Sequence, residues 1–410
     1  MVPESVVTAD DTVRTPAPEL AAARAPATYD LILVAAVAAL VAIGTVEIYS
    51  ASAVYAAEKM GRATYWLEKQ LAYLVLGAGA FWLGARIDYR LYRRWSYPML
   101  LGALFLLVAV LFVGSRVGGA KRWFHLGPLS FQPVELAKFA LVVYLAQSLA
   151  KKRDRVRVFT AGFMPHLVVC GLMMALLLKQ PDLGSSIILG ATTLTLLFVA
   201  GTKISYLLIA IFAAAPLVYH AIVGTPWRLR RLMAYLDPWA FRENYGYQIT
   251  ESLIAIGSGG WTGEGLGQGK QKLFYLPEGH TDFILSNIGE ELGFVGFALV
   301  LTLFVVVLWR GVRAALASRD AFGTFLAAGL TTIFAFQALV NAGVVLGALP
   351  AKGLTLPFVS YGGTSLIVSL FFAGVILNVG RGGSPIAVSG ARVQAHTNRR
   401  KPRRARIIVP

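Results

Sequence analysis

Residues 31–50 read LILVAAVAALVAIGTVEIYS, an apolar run of the roughly 20 residues that an α-helix needs to cross the hydrocarbon core of a bilayer. Comparable runs recur at residues 70–85, 97–113, 133–150, 162–178, 184–200, 204–223, 283–309, 322–346 and 359–379. The spacing predicts an all-α polytopic membrane protein with about ten transmembrane helices. The composition agrees, since 57% of the 410 residues are hydrophobic and 14% are charged. Residues 1–28 are polar and carry both signs of charge, so the first run lies too deep and is too long for an ordinary signal peptide, although Ala51-Ser52-Ala53 has the shape of a cleavage site.

Orientation follows from the cationic residues, because loops rich in Lys and Arg resist translocation. With the N-terminus in the cytoplasm, 23 of the 38 Lys and Arg residues fall on the inner side and 8 in the short outer loops. Both termini are therefore expected to be cytoplasmic. The expected organisation is a disordered tail over 1–28, a transmembrane domain over 29–380 and a basic disordered tail over 381–410. The net charge of +17 owes much to the tail from Arg399 to Arg406. A polybasic stretch beyond a last helix attracts anionic lipid headgroups, so membrane rather than nucleic acid is the expected partner. The single cysteine, Cys170, lies within a span, which leaves no disulfide or thiolate metal site within the chain.

One connection is unlike the others. Residues 224–282 form a long outer loop, with the spacing of a short amphipathic helix at Tyr247 to Ile256 and seven glycines between Gly257 and Gly269. Long loops of this kind usually carry function. The glycine run is no phosphate loop: Glu264 stands where its first glycine belongs, and Gln271 follows Lys270 instead of Ser or Thr. Without a nucleotide site, the driving force must come from the substrate itself or from an ion gradient.

Three polar clusters sit at the outer ends of the runs. The first is Lys121-Arg122-Trp123-Phe124-His125 leading to Pro133, Glu135 and Lys138. Pro133 suits the first helical turn, and Glu135 and Lys138, three apart, share a face and can pair. An ion pair within the membrane is costly enough to suggest function, and a helix-packing staple is compatible with it. The second cluster is Lys179-Gln180-Pro181-Asp182, where Asp182 is a natural helix cap. The third is Glu278-Gly279-His280-Thr281-Asp282, with Glu290 and Glu291 two turns further on. Asp282 is either a cap for the next helix or a general base, and His280 lacks the companions a metal site needs.

The stretches FQPVELAKFALVVYLA, KQPDLGSSIILG, YQITESLIAIGSGGWTGEGLGQGKQKLFYLPEGHTDFILSNIGEELGFVG and LPAKGLTLPFVSYGGTSLI resemble, in order and spacing, the signature segments of the SEDS family of peptidoglycan glycosyltransferases. The segments from Gln271 to Pro277 and from Gly353 to Gly363 look FtsW-like, of the division branch, with the RodA-like elongation branch as the close relative. Val134, Gly279 and Ser286-Asn287 depart from the common pattern without removing a charge. The resemblance implies a polymerase in the bacterial inner membrane, with its active site on the outer side. The acceptor would be lipid II and the donor a growing glycan on polyprenyl pyrophosphate.

Carried over by motif, Asp282 is the catalytic acid residue. Lys121, Arg122, Lys272 and Lys352 are the outer cations expected to receive the leaving pyrophosphate. A divalent cation, Mg or Mn, bridging phosphate and Asp282 is the alternative, and no cofactor is certain. Trp123, Glu135, Lys138, Gln180, Asp182, Glu278, His280, Thr281, Ser360, Gly362 and Gly363 complete the expected substrate site. The implied partners are a class B penicillin-binding protein, docked near the eighth and ninth spans, and other division proteins. Three other readings stay open: an elongation polymerase, a lipid II flippase or proton-coupled carrier using Glu135, Lys138 and Asp182, and a non-catalytic scaffold.

Overall fold

The computed structural model describes residues 29–382 except 118, 128, 153–154, 274 and 277–278. Both expected tails and Glu278 lie outside the described residues. Every apolar run predicted from the sequence lies for most of its length on helix. In chain order the first helices are α1 (Leu31–Met60), α2 (Tyr65–Arg86), the short α3 (Arg90–Arg94) and α4 (Ser96–Val113). A three-stranded antiparallel sheet follows, β1 (Ser115–Val117), β2 (Ala120–Leu126) and β3 (Leu129–Phe131), with β2 in the middle. The sequence reading had no strands there, because three- and seven-residue strands leave little periodicity to find.

Next come α5 (Pro133–Lys151), α6 (Met164–Lys179) entered through a π-helical turn at Phe159–Phe163, α7 (Leu183–Val199) and α8 (Ile204–Val223). The long connection then holds α9 (Pro226–Leu236) and α10 (Tyr247–Gly259). The remaining helices are α11 (Ile284–Glu291), α12 (Gly293–Leu316), α13 (Ala321–Val345) and α14 (Thr364–Gly380). Among the described residues, seven helical stretches are long and apolar enough to cross a membrane, namely α1, α4, α5, Phe159–Lys179, α8, α12 and α13, while α7 and α14 are shorter apolar helices.

Local chemistry sets the ends. Asp30 caps α1 by accepting the Leu33 amide at 3.1 Å, and its other oxygen receives Arg310 Nε at 2.6 Å. Pro133 opens α5, where its missing N–H leaves nothing unsatisfied. Two expectations shift. The run at 283–309 is two helices rather than one, because Gly293 takes φ +67° at the break. The last helix starts at Thr364 instead of residue 359, after Gly363 turns the chain with φ +41°.

At the centre lies α5, nearly every residue of which is buried, whereas α8 is exposed along almost its whole length, as a lipid-facing helix would be. Helices α2 and α14 pack with their backbones close together, an approach that small residues permit. A Cβ on Gly84 would lie 2.6 Å from the Phe371 carbonyl oxygen, and one on Gly374 would meet the carbonyl of Phe81. Gly374→Val should therefore push the pair apart and cost about 1–3 kcal/mol. Thermal unfolding of the detergent-solubilised protein checks this, and an unchanged melting temperature contradicts the packing.

Candidate functional site

Two cavities open where the ends of α5, α7, α9 and α14 meet the connection between α13 and α14. The first, of about 410 Å³, is lined by Trp66, Lys69 and Tyr73 of α2, Gln132, Glu135 and Lys138 around the start of α5, Gln337 of α13 and Ser365 of α14. The second, of about 680 Å³, is lined by Asp182, Trp227, Arg228, Arg231, Gln248 and Lys352 among others. Arg122, Trp123, Asp282 and Gly353 line both. Those four residues form the wall between them.

Each wall residue is placed by identifiable contacts. The central strand β2 carries Arg122, whose Nε donates to the Gln180 carbonyl at 2.9 Å and whose terminal nitrogen donates to the Pro181 carbonyl at 2.6 Å. Those bonds tie the sheet to the turn between α6 and α7. Asp182 caps α7, accepting from the Ser185 amide at 3.0 Å and its hydroxyl at 2.8 Å. It lines the second cavity with its carboxylate already engaged. Asp282 is not the cap of α11, because Phe283 holds that position. Its carboxylate lies against Gly353, where a Cβ would stand 3.3 Å from Oδ2. Under the first cavity, Lys138 Nζ meets Glu135 Oε1 at 2.8 Å, both side chains almost fully buried.

The second cavity is rich in positive charge. Burial and the guanidinium groups of Arg231 and Arg228 lower the Lys352 ammonium to a pKa of about 8. Arg231 is itself pulled below its ordinary range by burial; Asp282 opposes that shift and Arg122 adds to it. A cluster that already resists its own charge binds an anion well, because the anion relieves both burial and repulsion. Around Asp282 the neighbours are arginine and lysine, and among the described residues no three His, Cys, Asp or Glu side chains gather to hold a metal. A divalent ion at Asp282 would therefore take the rest of its oxygen ligands from substrate phosphate and water.

Of the residues expected from the sequence, Arg122, Trp123, Glu135, Lys138, Thr281, Asp282, Gly362 and Gly363 line the first cavity, and Asp182 and Lys352 the second. Others line neither. Lys121 Nζ donates to the carbonyls of Leu111 and Phe112, each at 3.3 Å. Lys272 pairs with Glu291 at 3.0 Å and touches Ser50, and the Gln180 side chain donates to the Leu107 carbonyl at 2.9 Å. Ser360 Oγ accepts from the Leu356 amide at 2.8 Å. The His280 ring packs on Trp66, with centroids 5.2 Å apart. Sequence reasoning passed over Arg228 and Arg231. Their signal was present in PWRLRRLMAYL over α9, where arginines three apart share one helical face.

Long apolar helices capped at one end by a polar double cavity, with Asp282 set among cations, define a polytopic membrane protein with a cation-lined site. The chain belongs to the FtsW/RodA/SpoVE family of cell cycle proteins, whose family model matches residues 30–383. It is 47% identical over 358 residues to a probable peptidoglycan glycosyltransferase FtsW of Trichlorobacter lovleyi, covering 87% of this chain and 94% of that one. It is 40% identical over 354 residues to the stage V sporulation protein E of Bacillus subtilis, covering 86% and 97%. Among solved structures, a peptidoglycan synthase complex that coordinates polymerization and crosslinking matches with TM-score 0.72 and 35% identity over 86% of this chain and 98% of the matched one. The rod shape determining protein RodA of Thermus thermophilus matches with TM-score 0.64 and 34% identity, covering 86% and 97%.

The electrostatics of the second cavity give a direct expectation. Lys352, usually protonated up to 10.5, is charged only below about 8 in the folded protein, so an anion meets one cation fewer as the pH rises through that value. Affinity for inorganic pyrophosphate, measured by calorimetry, should fall through pH 8, and Lys352→Met should remove that step. A pH-independent affinity contradicts this account.

Proposed function

We infer that this chain is a peptidoglycan glycosyltransferase that polymerises lipid II into β-1,4-linked glycan strands during cell division, with Asp282 as general base. The observation that carries the assignment is the position of Asp282 in the wall shared by both cavities. Glycan polymerisation needs two lipid-linked headgroups side by side, and a base at the boundary reaches the place where they meet. The relatives in Trichlorobacter lovleyi and Geobacter metallireducens, each 47% identical, are named FtsW and peptidoglycan glycosyltransferase, which supports the polymerase over a carrier and the division branch over elongation.

In the reaction, the acceptor's sugar hydroxyl attacks the anomeric carbon of the donor. The new bond forms between that oxygen and carbon as the bond from carbon to pyrophosphate oxygen breaks. The hydroxyl proton passes to Asp282, and the electron pair leaves with the pyrophosphate. Negative charge grows on the leaving group in the transition state, so cations fixed there lower the barrier. Arg122, Arg228, Arg231 and Lys352, all lining the second cavity, are placed for that task. The first cavity, with its aromatic rings, amides and hydroxyls, suits the uncharged sugar of the acceptor. The pyrophosphate bond supplies the energy, in keeping with a chain that has no nucleotide-binding loop.

The site lies at the outer face of the bacterial inner membrane on this reading, with both termini cytoplasmic, because the loops at the opposite end hold most of the Lys and Arg. The partner we assign is a class B penicillin-binding protein, in line with the solved synthase complex, which joins polymerization to crosslinking. Other division proteins are further partners, and the diphosphate is assigned to the side chains of the second cavity.

With partner protein and lipid II in detergent, Asp282→Asn should lower polymerisation by about 10²–10⁴-fold, the usual worth of a positioned base. Glycan chains of parental yield from that variant would end the assignment, and movement of labelled lipid II across sealed vesicles without polymer would favour a carrier. Arg231→Ala should weaken donor use by about tenfold, the loss expected from one charge-assisted contact, read as kcat/KM for the donor. An unchanged value would take Arg231 out of the diphosphate site.

A further inference from the structure

The backbone that bears Asp282 is held by donors from three separate parts of the fold. The Gly279 carbonyl accepts from Asn287 Nδ2 of α11 at 3.1 Å. The His280 carbonyl accepts the Tyr361 amide at 3.0 Å. The Asp282 carbonyl accepts from Asn341 Nδ2 of α13 at 2.8 Å. Asn341 uses its second N–H on the Leu354 carbonyl at 2.9 Å. One side chain therefore spans the two strands of chain between which the Asp282 carboxylate rests, since Gly353 is the residue packed against that carboxylate.

Both asparagines are buried, with 3% and 2% of their surface exposed. All three of their partners are carbonyl oxygens, which only accept, so the amide nitrogens must face them and the orientation is chemically fixed. An amide in an apolar interior is costly unless it makes such bonds, and a position needed only for packing is better filled by leucine. The residue facing Asn287 is matched to it: a Cβ on Gly279 would stand 2.9 Å from Asn287 Nδ2. Gly279 and Asn287 thus form one device, in which the missing side chain at 279 lets the amide reach the backbone.

We propose that Asn341 and Asn287 are positioning residues that fix Asp282, through its backbone, at the boundary of the two cavities before substrate arrives. The proposal rests on Asp282 acting as the base. A base displaced by about 1 Å from its proton loses on the order of 10²-fold in rate, whereas the cavities that bind the headgroups keep their lining. Loss of either asparagine therefore acts on kcat and leaves KM in place.

The test uses the full-length protein with its partner, lipid II as substrate and Asp282→Asn as reference. Asn341→Leu and Asn287→Ala should lower kcat by about 10–100-fold while KM stays within about twofold. Asn341→Asp adds a readout that a purely structural role would not move. Protonated, it can still donate one bond, and ionised, it turns negative charge toward two carbonyls, so its kcat at saturating substrate should fall with rising pH beyond any loss the parent shows. If Asn341→Leu does not fold, a cycle at the other strap decides. Gly279→Ala should lower kcat by itself but cost little more once Asn287 is already alanine.

Parental kcat in the asparagine variants, or independent multiplying effects of Gly279→Ala and Asn287→Ala, would overturn the proposal. If Asp282→Asn is inactive while the asparagine variants match the parent, the positioning role alone fails. If Asp282→Asn is itself active, the base assignment fails with it.

Discussion

A charge or a backbone carbonyl removed from water must find a partner, and in a bilayer that requirement is close to absolute. The site of this protein is organised by it. Lys138 and Glu135 close on each other at 2.8 Å, Arg122 gives two of its hydrogens to carbonyls in the turn before α7, and the segment around Asp282 has its carbonyls claimed by two buried amides and a backbone N–H. Because these polar groups are occupied by one another, the surrounding helices can be almost wholly apolar. The bonds that make the site tolerable in the membrane are the same ones that connect its parts.

The same logic explains the interruption between α11 and α12. Glu290 and Glu291 end α11, where carboxylates gain nothing from the helix dipole. Their oxygens are turned to the glycine-rich segment instead: Glu290 accepts from the Lys270 amide at 2.7 Å, and Glu291 accepts from the Gly267 amide at 2.7 Å and from Lys272 Nζ at 3.0 Å. Gly269 packs so closely on both carboxylates that a Cβ there would stand 2.8 Å from Glu290 and 3.0 Å from Glu291. Two acids at a helix end thus fasten the loop that leads back to Asp282. Lys272, a cation on the correct side for a phosphate, is spent on that fastening.

The cations that do face a cavity are held in an unfavourable state. Lys352 and Arg231 share a partly buried space with Arg228 and Arg122, and burial and like charge push the first two below their ordinary pKa ranges. Such a cluster is costly in the empty protein, and an anion such as the proposed diphosphate would relieve it, more so as negative charge built on it. Interactions that strengthen toward the transition state are the ones that accelerate a reaction. Asp282, attracted to Arg231, sits between the two cavities, where the proposed reaction would release its proton and receive its leaving group.

Much of this was written in the chain. Runs such as residues 31–50 determined the helices, since the thickness of hydrocarbon fixes their length, and Pro133 and Asp182 marked helix starts by local chemistry alone. The Glu135 and Lys138 pair followed from helical spacing, and the motif around Asp282 singled out the carboxylate that the fold sets between the two cavities. What only the tertiary structure decided is which distant groups meet. In the sequence Lys121 and Lys272 are outer-side lysines like Lys352, but backbone carbonyls took the first and Glu291 the second. Arg231 and Asn341 come to Asp282 from helices 51 and 59 residues away in sequence, and no local pattern records such a contact, because it is fixed by how helices pack and not by what precedes or follows each residue.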